Sequence, residues 1–169
     1  MPAKNIPAKP GRQIRLFSLL TALLFLSCPA LQAQSKYVKK YRHLADSLSV
    51  EYGIPASVIL GVAIVESGSG TSRNAKLLSN HFGIVGKNNL LKTKGIRSRY
   101  KQYKSVEDSY LDFCKLLSRR KFYPGLKGKT DYRLWTDAIS KTGYSEMPAE
   151  WKKRINGAIR RNKLSPAHQ

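Results

Sequence analysis

Val58-Ile59-Leu60-Gly61-Val62-Ala63-Ile64-Val65 is a run of eight residues without a polar side chain, and it leads directly into Glu66-Ser67-Gly68-Ser69-Gly70. A helix that is apolar all the way round has no face to show water, so it belongs at the centre of a fold. Pro55 suits the first turn of such a helix, where its missing N–H is not needed. The two glycines and two serines after Glu66 stop it. Working outward, Tyr37, Tyr41, Leu44 and Leu48 recur at helical spacing and predict an amphipathic helix over 37–52, ended by Gly53. A short helix is expected over 72–78. Ser105-Val106-Glu107-Asp108 has the form of a capping box, opening a helix whose buried face carries Tyr110, Phe113, Cys114 and Leu117. Two further helices follow, one with Leu134, Trp135, Ala138 and Ile139, the other starting at Pro148 with Trp151, Ile155, Ala158 and Ile159. Over 82–103 the glycines Gly83, Gly86 and Gly95 break the pattern, and a turn at Lys94-Gly95 predicts a small hairpin or irregular lobe. The expected class is α+β, mainly α, with a small β-hairpin lobe beside a central buried helix.

The chain opens with Lys4, Lys9, Arg12 and Arg15, followed by an apolar stretch from Leu16 to Leu26 broken only by Ser18 and Thr21. That stretch is too short to span a bilayer, and small residues at Ser27, Ala30 and Ala33 offer a cleavage site. Residues 1–33 therefore read as a secretory signal peptide cut after Ala33, leaving 34–169 as one domain of ordinary size. The rival reading is a lipoprotein signal, with acylation at Cys28 after Leu26-Ser27. Both send the protein out of the cytoplasm, to the periplasm, cell envelope or exterior. After cleavage only Cys114 is left, so no internal disulfide forms and packing must supply stability.

The sequence holds 31 Lys and Arg against 10 Asp and Glu. Four of the basic residues and none of the acids precede Ala33, which leaves the remainder at about +17. Such a charge calls for a polyanionic neighbour: nucleic acid, anionic membrane, or a cell wall bearing carboxylates. Export favours the wall. The basic residues are spread along the chain without a recognised nucleic-acid motif, so no specific nucleic-acid partner is expected.

Glu66 is the residue with chemical promise. Apolar surroundings remove the solvation of its anion, and the negative end of the helix dipole opposes it further. A carboxyl that holds its proton near neutral pH is what protonation of a departing glycosidic oxygen requires. A solvated glutamate at a helix end is the plainer alternative.

Four segments in order bear on the choice: Val65-Glu66-Ser67-Gly68-Ser69-Gly70-Thr71-Ser72, Asn80-His81-Phe82-Gly83-Ile84-Val85-Gly86, Tyr100-Lys101-Gln102-Tyr103-Lys104-Ser105 with Asp108-Ser109, and Thr142-Gly143-Tyr144 with Pro148. Together they resemble the successive motifs of the bacterial glucosaminidase family, found as the hydrolase domain of the flagellar rod protein and of many autolysins. The resemblance covers about 41–164. It implies a lysozyme-like fold, endo-β-N-acetylglucosaminidase activity on peptidoglycan glycan strands, and Glu66, from the Glu66-Ser67-Gly68 motif, as general acid. It further implies that Asn80, Phe82 and Gly83 lie along the substrate groove and that Tyr144 faces the catalytic centre. Phe82, Tyr100, Tyr103 and Tyr144 could lie flat on sugar rings, whose C–H faces are apolar; for Phe82 and Tyr103 core packing is the equal alternative.

The resemblance also leads one to expect a second acid in the lobe, and 87–105 contains none, carrying instead Lys87, Lys92, Lys94, Arg97, Arg99, Lys101 and Lys104. Glu107, Asp108 and Glu146 are the candidates, with Glu150 beside Glu146; structural roles at the helix start compete for Glu107 and Asp108. Water aligned without a strong base, attack by the substrate's own acetamido group, and a wall-binding protein without activity are three ways to accommodate the gap. A lytic transglycosylase also needs one glutamate, but its Gly-Leu-Met-Gln segment is absent. His43 and His81 stand without cysteines or acid pairs at ligand spacing, so neither metal nor cofactor is expected, and the domain is expected to be a monomer.

Overall fold

The computed structural model describes residues 29–165, with side chains from residue 36 onward. The expected leader falls almost wholly outside the described residues, and Cys28 with it. The elements in order are α1 (Pro29–Tyr52), α2 (Ala56–Ser67), α3 (Arg73–Leu78), α4 (Leu90–Lys94), α5 (Val106–Ser118), α6 (Tyr123–Leu126), α7 (Tyr132–Ser140) and α8 (Pro148–Arg161).

Helix α2 is the central element, because Val58 to Ala63 have no solvent exposure and Ile64 almost none. It packs chiefly against α8, and α8 in turn against α7. Gly61 makes the first of these contacts close: a Cβ there would stand 2.6 Å from Cγ1 of Ile159 and 3.4 Å from Cγ2 of Ile155. Any side chain at 61 would force Ile159, or the helix that carries it, to shift. On the other side, Tyr37, Tyr41 and Leu48 of α1 and Tyr110, Phe113 and Leu117 of α5 complete one continuous core. Cys114 is buried in it as a free thiol.

The expected capping box is made, and two further side-chain caps join it. Ser105 Oγ accepts from Asp108 N–H while an Asp108 carboxylate oxygen accepts from Ser105 N–H, the full capping box. Ser72 caps α3, which begins one residue later. Asp131 accepts from Arg133 N–H at the start of α7. Pro55 itself stands at the N-cap of α2, one position before the first turn.

Of the small hairpin or irregular lobe expected over 82–103, the described residues form the irregular lobe. Its arms meet at a single antiparallel bridge, Val85 with Tyr100, and a one-turn helix, α4, occupies the tip with Gly95 as its C-cap. Backbone hydrogen bonds cross between the arms from Gly86 N–H to Arg99, Lys101 N–H to Ile84 and Gln102 N–H to Lys87, and two asparagines staple the loop beside them. Asn88 Nδ2 donates to the carbonyls of Ser98 and Tyr100, 2.8 Å each, and Asn80 Nδ2 donates to those of Ile84 and Lys101, also 2.8 Å. The Ile84 carbonyl accepts both from Asn80 and from Lys101 N–H of the opposing arm. The mainly helical architecture stands; its minor lobe is an amide-stapled loop.

Candidate active site

Glu66 lies in the last turn of α2, where Gly68 takes the left-handed conformation (φ 56°) and ends the helix. Ser67 is fully buried and secures that end, its hydroxyl donating to the Ala63 carbonyl at 2.6 Å and accepting from Gly70 N–H at 2.8 Å. The sequence thus fixes the glutamate at the end of the most apolar helix among the described residues. Its Oε1 accepts a 2.7 Å hydrogen bond from the indole N–H of Trp151 on α8. Burial pushes the Glu66 carboxyl above the usual carboxylate range; the Trp151 hydrogen bond and the nearby positive charge of Arg154 oppose that rise and do not cancel it.

The side chain opens into a cleft of about 350 Å³. One wall is the segment Tyr144-Ser145-Glu146-Met147, and another is α8 with Glu150, Trp151 and Arg154; Arg99 reaches in from the lobe. A half-buried carboxyl, two further carboxylates and two guanidinium groups therefore share one opening.

Tyr144 packs its ring against Trp151, with centroids 5.5 Å apart, and donates its O–H to the Phe82 carbonyl at 2.6 Å. Burial first, and the Glu66 charge second, hold this phenol protonated well above its ordinary value. Gly83 (φ +65°) follows at once: a Cβ there would stand 3.4 Å from Glu66 Oε2. The Phe82-Gly83 backbone is thereby wedged between the glutamate and the tyrosine.

The other expected groove residues divide. Phe82 is fully buried, its ring stacked on Phe113 at 4.3 Å, so it offers the site a carbonyl and no aromatic face. Tyr103 is likewise a core residue, its hydroxyl donating to Asp112 at 2.8 Å. Asn80, also buried, spends its amide on four hydrogen bonds that shape the lobe's root. Tyr100 is half-buried at the bridge with the Arg99 guanidinium 5.6 Å from its ring centre. Of the second-acid candidates, Glu146 lines the Glu66 cleft and so does Glu150. Asp108 is held in its capping box, and Glu107 is an exposed first-turn residue whose charge acts on His81 and Tyr110 instead. His81 is buried in a network, its Nδ1 2.6 Å from the Tyr37 hydroxyl, which is in turn 2.9 Å from that of Tyr110.

Sequence reading missed Trp151, Arg154 and Arg99 as site residues. Helical spacing gave Trp151 only a buried face. The available signal was chemical: a buried indole N–H needs an acceptor, and acceptors among ten acids are few.

Comparison with known proteins adds the following. Residues 42–164 match the glucosaminidase family model, described as mannosyl-glycoprotein endo-beta-N-acetylglucosaminidase. No curated protein matches by sequence. Among solved structures, the catalytic domain of the autolysin Auto from Listeria monocytogenes is similar at TM-score 0.66 and 21% identity, covering 95% of this chain and 100% of that one. The glycoside hydrolase domain of FlgJ from Salmonella typhimurium is similar at TM-score 0.60 and 20% identity, covering 77% and 88%. A mutant peptidoglycan hydrolase from Sphingomonas sp. A1 is similar at TM-score 0.60 and 22% identity, covering 77% and 95%.

Proposed function

The chain belongs to the glucosaminidase family, and from that premise we propose that its Glu66 cleft cuts β-1,4 glycosidic bonds in the glycan strands of peptidoglycan, with Glu66 as general acid. The observation that carries this reading is a carboxyl whose burial favours the protonated form, at the edge of a cleft large enough for a sugar ring. Protonated Glu66 gives its proton to the glycosidic oxygen. The C1–O bond then breaks with its electron pair leaving on that oxygen, and the ring carbon takes up positive charge until water adds there and releases a proton. Tyr144, kept neutral, completes the wall beside the acid, and Ser67, Asn80 and Gly83 hold the backbone that shapes it. Tyr100 and Arg99 extend the groove along the lobe.

Glu146 and Glu150 are the carboxylates that share the cleft with Glu66, so the group acting on water comes from the segment before α8 or from its first turn, rather than from the lobe. The leader over 1–33, or lipidation at Cys28, delivers the domain as a monomer to the cell envelope, where the basic surface meets the carboxylates of wall peptides.

The test is Glu66→Gln on purified peptidoglycan. Release of reducing ends falls by about a thousandfold, of the order general acid catalysis supplies, while circular dichroism stays unchanged; an undiminished rate removes Glu66 from the mechanism. The acid-free lobe favours one rival, a lytic transglycosylase, which needs no base for water. Mass spectrometry separates the two, since that enzyme leaves anhydro sugars where a hydrolase leaves reducing ends.

A further inference from the structure

We propose that Trp151 is a positioning residue that decides which oxygen of Glu66 carries the catalytic proton, and that Gly83 keeps the approach to that oxygen open. The inference rests on the general acid reading of Glu66 given above.

An indole N–H donates and never accepts. With Oε1 of Glu66 2.7 Å from Trp151 Nε1, a proton placed on Oε1 would turn the carbonyl oxygen of the acid away from its donor and weaken the bond. The acid form is therefore the one with carbonyl character at Oε1 and the hydroxyl at Oε2. Oε2 is the oxygen beside Gly83, whose missing side chain would otherwise touch it at 3.4 Å. The indole is itself fixed, being 4% exposed and packed on the Tyr144 ring. Tyr144 is pinned in turn by its bond to the Phe82 carbonyl. The proton donor is thus aimed by a chain of three contacts that reaches from α8 through Tyr144 to the Phe82-Gly83 backbone.

The hydrogen bond has a second consequence with a definite sign. It stabilises the carboxylate more than the acid, so it draws the pKa of Glu66 back down against burial. Taking the N–H away while leaving an aromatic ring raises the pKa.

Trp151→Phe tests this, with Glu66→Gln alongside. The expected result for Trp151→Phe is a folded protein with KM nearly unchanged, kcat lower by about tenfold, and the alkaline limb of the kcat/KM profile displaced upward by about one pH unit. A ring acting only as packing would leave that limb in place. An unmoved limb with Glu66→Gln inactive overturns the role of Trp151 and spares the general acid reading. An active Glu66→Gln overturns that reading and the present inference with it. As a second probe, Gly83→Ala is expected to lower kcat even where thermal unfolding shows the variant folded, and an unchanged kcat in a folded Gly83→Ala variant overturns the open-approach half of the inference.

Discussion

The two sides of the cleft are built by different means. Helices α2 and α8 meet through apolar side chains packed at close range, with Gly61 set against Ile155 and Ile159. The lobe over 82–103 has a single bridge and is held by the amides of Asn80 and Asn88, each bonding two carbonyls. Close packing resists any displacement of the whole interface at once. A few individual hydrogen bonds, each of modest net worth, let a segment open locally without unfolding the rest. The acid sits on the stiff side, and Arg99 is brought in by the compliant one.

Three measurements press on that contrast, from the largest effect to the smallest. Gly61→Leu drives a branched side chain into Ile159 and should cost about 4 kcal/mol, the severe end of overpacking. Chemical denaturation reads it, and a loss under 1 kcal/mol would mean that α2 and α8 adjust freely. Next comes acid. Burial, helped by the Lys40 charge, lowers the His81 imidazole from 6.5 to about 4, so the unfolded chain binds a proton there that the folded one refuses. Stability then falls as pH drops from about 6.5 to about 4 and levels off below, with a loss of up to about 3 kcal/mol. Urea midpoints at pH 7.5, 5.5 and 4 check the slope, and His81→Gln should flatten it in that window. Smallest is Asn88→Ala, expected to lower global stability by at most about 1 kcal/mol. Hydrogen exchange should quicken over 86–101 while α2 stays protected, and kcat/KM should drop a fewfold as Arg99 loses its place. Equal loss of protection in α2 would erase the distinction between the two sides.

The same contrast explains what was legible in the sequence. The run Val58 to Val65 announces a buried helix because only an interior tolerates apolar residues on every face. Ser105 and Asp108 announce a helix start because capping is local. For the lobe, glycines and a turn signal leave a small hairpin or an irregular segment open, and do not reveal the one-turn helix at its tip or the staples made by Asn80 and Asn88. The place of Glu66 at the end of that buried helix was legible from its own neighbours. Its partner Trp151 was not, because the contact joins residues 85 apart and depends on how α8 docks. For Phe82 and Tyr103 the sequence leaves sugar face and core open equally, and the fold uses both rings as core.

The notch at Gly61 has a consequence for the chemistry as well as the packing. Ile159, Ile155 and Trp151 follow one another at four-residue intervals along one face of α8, so the isoleucines seated at Gly61 act as a keyway that sets how far the indole travels toward Glu66. Sliding α8 by one residue, a rise of about 1.5 Å, would misregister the hydrogen bond. Substitutions five residues from the carboxyl, remote from any sugar, should therefore detune turnover before they melt the protein.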